Sequence, residues 1–389
     1  MPKARAIKIA SQFVILGVVA FAPYYLSSYN LSLLGRFLAL CILALGLVLV
    51  WGWGGMLSLG QGVFFGLGAY SLALYLKLVG LSPGDLPDFM VWSGLSQLPW
   101  WWGPFRHPAV AIAGVVLLPA AAAGALAWLV FHRRVGGVYF ALVTQALALA
   151  FATLLISQQA YTGGFNGLTD FTTLMGFQLG DPKVERGLFW VTLACLALAF
   201  VLLRWLMGTD FGRIVLAIRD GENRIRFLGY NPVPYKVMVF AIGGALAGVS
   251  GALYMLHAGV ISPAMVGVVP SIEMIVWVAV GGRESLVGAI VGTLLVNFGK
   301  DWVSSAMPSL WLFVIGLLFV LIVTVVPKGL SGLWGPNVVN WFRVKVLRRP
   351  QPRHAHVAAG LETETGEAGR AIPSTDAASF EHHEELDGA

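Results

Sequence analysis

The sequence predicts an all-α protein, a polytopic transmembrane helical bundle of about ten spans. Of its 389 residues, 58% are hydrophobic and only 11% are charged, whereas soluble globular domains carry about 25% charged residues. A chain this apolar would expose large hydrophobic patches in water, which indicates that the bilayer is its solvent. A helix needs roughly 20 apolar residues to cross the hydrocarbon core, and apolar runs of about that length recur along the chain.

The apolar runs give each predicted span a position. In chain order the spans are residues 9–26, 31–50, 56–79, 108–131, 138–158, 187–207, 237–256, 271–282, 286–300 and 309–326. The eighth and ninth are short and are separated by residues 281–285, so they form either two helices or one broken helix. The two cysteines, Cys41 and Cys195, lie inside apolar runs, which favours small buried side chains over a disulfide or a metal site.

The distribution of basic residues predicts the orientation of the chain. When the N-terminus is placed in the cytoplasm, more Lys and Arg residues fall in cytoplasmic segments than in external ones, as the positive-inside rule requires. Both termini are then cytoplasmic. The basic residues separate apolar runs and form no continuous patch, which excludes a nucleic-acid partner from the expectations.

The composition changes after the last predicted span and divides the chain into three regions. Residues 1–335 form the predicted transmembrane domain. Residues 336–349 include Trp341, Phe342 and several basic side chains, which is typical of an amphipathic juxtamembrane segment on an anionic membrane surface. Residues 350–389 have no apolar period and are expected to be a disordered cytoplasmic tail.

The longest charged loop between predicted spans, residues 208–236, has the pattern of a helix, a break and a second short helix. Asp220 and Glu222 lie where the second helix would begin, which its positive dipole end favours, and Gly229 suits its end. Apolar side chains among the charges indicate a helix that seats in a groove on another protein, with a solvated loop as the alternative. The candidate docking residues are Arg219, Asp220, Glu222, Arg224, Ile225, Phe227, Leu228 and Gly229.

A few polar side chains lie inside the predicted spans. A polar group in lipid is costly, so these side chains are expected to face the bundle interior or a wet path. The candidate residues for a translocation path are Gln61, Thr144, Gln145, Glu273, Trp277 and Asn297. The alternatives are hydrogen bonds between helices for the amides and an N-terminal carboxylate of the eighth span for Glu273. The many glycines in the spans favour close helix packing.

The sequence contains no motif for catalysis. A phosphate-binding loop needs the spacing G-x-x-x-x-G-K-[ST], and the nearest approach, Gly292 with Gly299-Lys300-Asp301, has the wrong gap and lacks the hydroxyl residue. No Ser/His/Asp set and no metal-ligand spacing is present in the sequence. The chain is therefore expected not to be an enzyme and to hold no cofactor.

Several motifs resemble one family of transport proteins, in matching order along the chain. They are residues 55–62, 66–70, 137–144, 162–168, 217–222 with Gly229, and 247–253. In this order they are similar to the permeases of branched-chain amino acid and urea ABC importers, and the resemblance runs from about residue 35 to residue 335. It implies that residues 1–335 are a permease domain of the ABC importer type in a bacterial inner (plasma) membrane.

The resemblance also implies partners and a mechanism. In this family the loop that corresponds to residues 213–232 docks on an ATPase subunit. The expected partners are a homologous second permease, two cytoplasmic ATPase subunits, a periplasmic solute-binding protein and the lipid bilayer. ATP and Mg would bind to the ATPase subunits and not to this chain.

The solute expected from the resemblance is a small polar molecule, with urea preferred. Residues 224–230, residues 271–283 and residues 310–313 look closer to the urea type than to the amino-acid type. The amides of the candidate path also suit urea, which is planar, neutral and rich in N–H donors. The alternatives are a branched-chain amino acid ABC permease and a stand-alone urea or amide channel, which would need no docking helix.

Overall fold

The computed structural model describes residues 22–82, 85–306, 310, 313–314, 316–317 and 329–331. The first and tenth predicted spans lie largely outside these residues, and so do the predicted juxtamembrane segment 336–349 and the predicted tail 350–389. These predictions therefore remain predictions.

Nine longer helices account for most of the described residues. They are α1 (Ser28–Leu47), α2 (Gln61–Leu78), α3 (Pro108–His132), α4 (Val138–Ser157), α5 (Pro182–Gly208), α6 (Asp210–Phe227), α7 (Pro232–Ala258), α8 (Val268–Gly281) and α9 (Leu286–Ala306). α1 continues as a π-helical turn, Val48–Trp53.

Short elements lie in the connections. They are the helical turns Ala22–Tyr25, Asp88–Trp92 and Gln159–Thr162, the 3-10 turns Gly103–Arg106, Gly164–Asn166 and Pro263–Met265, and the strands β1 (Thr173–Leu174) and β2 (Phe177–Gln178). The two strands pair antiparallel in a small hairpin. The fold is all-α, as predicted.

Each of the predicted spans from the second to the ninth corresponds to a helix. In the described part of the chain, seven helices are long and apolar enough to cross a membrane. The eighth and ninth spans are two helices, α8 and α9, joined by a turn after Gly281. α2 is not among the seven, because Gln61, Lys77 and its tyrosines lower its hydropathy; almost all of α2 is nevertheless buried. A helix enclosed by protein does not need a lipid-compatible surface.

The centre of the bundle is formed by α1, α2 and α7, while α3, α4 and α5 leave large apolar faces exposed. Glycines permit the closest backbone approaches. A Cβ on Gly68 would lie 2.2 Å from the carbonyl oxygen of Gly248, and one on Gly251 would lie 2.0 Å from that of Phe65. The prediction that glycines mediate helix packing is confirmed at these positions.

α6 marks one end of the bundle, which also contains the end of α1, the start of α7 and the α8–α9 turn. This end is called the α6 end below. At the other end, the loop before β1 meets the loop after α7, where Leu168 and Ile261 exchange backbone hydrogen bonds of 2.9 and 3.0 Å. The longest charged loop is therefore at the α6 end. The β1–β2 hairpin and the loop after α7 are at the opposite end.

Candidate functional site

α6 has the shape that the sequence predicts, a helix broken near its middle. Gly221 adopts non-helical angles (φ −173°, ψ 77°) between Asp220 and Glu222. The helix ends at Phe227, and Gly229 follows with φ +86°, a left-handed conformation that glycine adopts without strain. Its N–H donates to the carbonyl of Arg226 at 3.0 Å, a typical C-terminal stop.

The distal part of α6 presents apolar side chains to the exterior. Phe227 is 92% exposed and Leu228 is 72% exposed, and the nearby Arg224 is also exposed. These three residues are called the α6 tip. Ile225 is half-buried and contributes less to this surface. Exposed large apolar residues next to a cation, on a helix that projects from the bundle, fit a groove on a partner protein.

Arg219 is half-buried and bonds within the chain, whereas the neighbouring Asp220 is exposed. The Nη1 of Arg219 donates to the carbonyl oxygen of Gly52 at 2.8 Å and lies 3.4 Å from Oε1 of Glu284, while its Nε donates to Asp220 at 2.9 Å. Arg219 therefore joins α6 to the end of α1 and to the α8–α9 turn. Both residues belong to the predicted docking set; in the structure Arg219 anchors α6 within the chain, and for the exposed Asp220 docking stays a prediction.

Glu222 forms the second anchor of α6. It accepts hydrogen bonds from Arg226 at 2.8 Å and from Lys236 at the start of α7, and the Lys236 ammonium lies 5.0 Å from the ring centroid of Phe131 on α3. Partial burial raises the pKa of the Glu222 carboxyl, but hydrogen bonds from and attraction to the two cations outweigh it. The net pKa is lowered below its ordinary value, and the ionised form of Glu222 is stabilised.

Three of the six candidate path residues line one cavity of about 370 Å³. Glu273 and Trp277 reach it from α8 and Asn297 from α9. Its other walls come from α1, α2, α7 and the turn before α8, and the described lining residues are Leu40, Phe65, Tyr254, Ala264, Met265, Val269, Pro270, Glu273, Met274, Trp277, Asn297 and Lys300. A volume of this size is within the range of small-molecule sites.

The polar groups of this cavity differ in how they are satisfied. The Lys300 ammonium donates to Oε2 of Glu273 at 2.8 Å. The side-chain amide of Asn297 donates to the carbonyl of Thr293 within α9 at 2.8 Å, so the predicted bond between helices is replaced by one within a helix. Nε1 of Trp277 is buried and has no hydrogen-bond partner in the described part of the chain.

The remaining candidate path residues lie away from this cavity. Thr144 is buried and accepts a hydrogen bond of 3.0 Å from the backbone N–H of Leu59, which fixes the irregular segment before α2 to α4. Gln61 begins α2 and is buried, and its Nε2 has no partner among the described residues. Gln145 is half-buried on α4. These three are not among the described residues that line the cavity.

Glu273 does not play the structural role considered for it. α8 begins at Val268, so Glu273 lies beyond the first turn and is not an N-terminal carboxylate. Its partner Lys300, on the next helix, was missed as a site residue. The signal was present in the sequence, because two opposite charges inside neighbouring spans are expected to pair within a bundle.

Comparison with known proteins places the chain among transport subunits. It is 28% identical over 348 residues to the high-affinity branched-chain amino acid transport system permease protein LivM of Escherichia coli, covering 84% of this chain and 75% of the relative. For LivM of Salmonella typhimurium, the identity is 27% over 344 residues, 82% of this chain and 74% of the relative.

A shorter similarity reaches a second kind of permease protein. The chain is 24% identical over 169 residues to LivH of Salmonella typhimurium, covering 43% of this chain and 54% of that relative. No solved structure matches the chain. The family model for the permease component of the branched-chain amino acid transport system matches residues 29–323. Because this match spans more than half of the chain, the protein belongs to that family of membrane permeases.

Proposed function

We propose that this chain is the membrane permease subunit of an ATP-driven importer for branched-chain amino acids, and that the α6 tip docks on the ATPase subunit. The observation that carries the proposal is the tip itself, since Phe227 and Leu228 are exposed on a helix that Arg219 and Glu222 hold against the bundle. Neighbouring large apolar side chains that are exposed together are typical of a surface that binds a partner.

The solute is taken from the relatives. LivM of Escherichia coli and LivM of Salmonella typhimurium are both named for high-affinity transport of branched-chain amino acids. The sequence-based preference for urea has no support from these comparisons, so the alternative solute is adopted. The apolar lining of the cavity, with Leu40, Phe65 and Met274 among its residues, also suits an aliphatic side chain better than it suits urea.

The anchors of α6 couple a movement of the tip to the helices that line the cavity. Arg219 bonds to Gly52, in the π-helical turn that ends α1, and Glu222 bonds to Lys236 on α7. The same two helices contribute Leu40 and Tyr254 to the cavity wall. A displacement of the tip would therefore pull on two helices that line the cavity, and ATP-driven closure of the partner subunits would reshape it.

The proposal requires a set of partners. A homologous second permease would complete the membrane unit, in keeping with the similarity to both LivM and LivH proteins. Two cytoplasmic ATPase subunits would bind ATP and Mg, and a periplasmic binding protein would deliver the solute. Residues 213–232 would face the cytoplasm.

The test removes the apolar surface of the tip. The double variant Phe227→Ser, Leu228→Ser is expected to lose the ATPase subunits on co-purification and to lose ATP-dependent uptake of labelled leucine in proteoliposomes. The matched control is Phe177→Ser, which removes another exposed apolar ring from β2, at the opposite end of the bundle, and is expected to retain the ATPase subunits on co-purification.

Two outcomes would reject the proposal. A stand-alone channel would keep its flux in the double variant and in the absence of ATP. A urea importer would keep ATP dependence but transport labelled urea instead of labelled leucine. Each result points to one of the alternative functions.

A further inference from the structure

The described lining of the cavity contains one pair of opposite charges. Glu273 on α8 and Lys300 on α9 lie 2.8 Å apart, and the side chain of Glu273 is only 8% exposed. A buried carboxylate inside a span is costly unless a cation neutralises it. The pair is neutral as a whole and leaves one carboxylate and one ammonium group at the cavity wall.

Trp277 adds a hydrogen-bond donor with nothing to bind. It is 4% exposed, lines the cavity, and has no partner for its Nε1–H in the described part of the chain. A buried donor without an acceptor loses its hydration without compensation. An acceptor atom on a bound solute would supply the missing partner.

The remaining wall is apolar on several sides. Leu40, Phe65, Met265, Val269 and Met274 come from α1, α2, the turn before α8 and α8. Their side chains offer contacts for a branched aliphatic group, and methionine adapts its shape easily to such groups. The cavity thus combines one anion, one cation, a free donor and an apolar surface.

We propose that this cavity is a recognition site for the zwitterion of a free aliphatic amino acid, a refinement that rests on the function proposed above. The α-carboxylate of the solute would accept hydrogen bonds from Trp277 Nε1 and the Lys300 ammonium, and its α-ammonium would bind the Glu273 carboxylate. The solute would then replace one neutral ion pair by two and leave the net charge of the cavity unchanged. A neutral amide would have no use for this charge pair.

The first test is Trp277→Phe, which keeps an aromatic ring and removes the N–H. Maximal uptake of labelled leucine, measured in proteoliposomes with saturating leucine-loaded binding protein, is expected to fall about tenfold, the effect of one lost hydrogen bond to a charged group. ATP hydrolysed per leucine imported is expected to rise. Trp102→Phe is the matched control, because Trp102 is also buried, its Nε1 has no partner among the described residues, and it lies outside the described cavity lining.

The second test separates recognition from structure. The double variant Glu273→Gln, Lys300→Gln keeps a neutral, hydrogen-bonding pair and removes both charges. A purely structural pair would tolerate this change, whereas zwitterion recognition predicts a fall in leucine uptake of about tenfold or more. Yield and elution volume of the purified complex check that each variant is assembled.

The outcomes distinguish this site from the proposed function. If the wild-type complex imports leucine and both cavity variants import it at the wild-type rate, the zwitterion site is wrong and the importer function stands. If the wild-type complex imports no leucine, the proposed function is wrong and the zwitterion site is rejected with it.

Discussion

At the residue scale, two charged side chains decide where α6 lies. Arg219 bonds to the carbonyl oxygen of Gly52 at 2.8 Å, and Glu222 bonds to Lys236 on α7. A hydrogen bond in which the donor or the acceptor is ionised is stronger than one between neutral groups. These anchors leave the tip free to meet a partner, because they use the charged residues that precede it.

Removal of the Glu222 charge tests the second anchor. Glu222→Gln is expected to loosen the distal half of α6, so that backbone amides of residues 222–228 exchange hydrogen faster while those of α7 do not. Asp210→Asn is the matched control, since Asp210 pairs with Arg213 at the surface with both side chains largely exposed, and exposed pairs contribute little. Equal exchange in both variants would contradict the anchor.

The lowered pKa of Glu222 gives the pH dependence of the same anchor. Because the folded-state pKa lies below the ordinary value of 4.5, the anchor contributes its full stability above about pH 4.5 and loses it as the pH falls through the lower folded value. The exchange of residues 222–228 relative to that of α7 is therefore expected to stay constant between pH 5 and 8. A change in this ratio within that window would show that another group controls the segment.

Gly52 is the residue that allows the α8–α9 turn to seat on α1. A Cβ at this position would lie 1.7 Å from the carbonyl oxygen of Arg283, so Gly52→Ala forces the backbone apart. Overpacking of this kind costs about 1–3 kcal/mol. The melting temperature of the purified protein is expected to fall, while Gly299→Ala, with open space around its Cβ, leaves it unchanged.

At the element scale, α6 consists of two helical parts with separate tasks. The part before Gly221 packs near the end of α1 through Val215 and Ile218, and the part after it carries the exposed tip. The break at Gly221 sets the direction of the tip. Without this break, the distal part of α6 would continue along the axis of the part before Gly221.

Gly221→Ala tests this interpretation. Alanine favours a continuous helix by about 1 kcal/mol over glycine, so the tip is expected to turn away from its docking position. Recovery of the ATPase subunits on co-purification should fall without a change in the melting temperature of the permease. Gly208→Ala, with open space around its Cβ, is the control; full recovery in Gly221→Ala would show that the break is not needed for docking.

At the scale of the whole molecule, the two ends of the bundle are predicted to face different compartments. The predicted topology puts the α6 end in the cytoplasm, which a cysteine-labelling experiment checks. A cysteine at the exposed position Asn223 should react with a membrane-impermeant maleimide only after permeabilisation, and one at the exposed position Gln97 should react in intact cells. The wild-type chain gives the background from Cys41, which is buried, and Cys195. The reverse labelling pattern would show that the chain has the opposite orientation in the membrane.

Much of this architecture is predictable from local sequence. The lengths of the apolar runs predict α1–α5 and α7–α9, and the charged loop with Gly221 and Gly229 predicts α6 as a broken helix with a defined end. The roles of Thr144 and Asn297 were not predictable. The sequence pattern around a polar side chain in a span is the same whether that side chain bonds within its own helix or to a neighbouring helix. Thr144 binds the backbone of Leu59, and Asn297 binds Thr293 in its own helix.

The sequence by itself determined the class of protein, the positions of its helices and the segment that projects from the bundle, because apolar length, charge and glycine act over a few neighbouring residues. Only the tertiary structure decided which polar groups meet. Glu273 and Lys300 are 27 positions apart, and Arg219 and Gly52 are 167 apart. Their contacts depend on the rotation and crossing of packed helices, which the pattern along one helix does not encode.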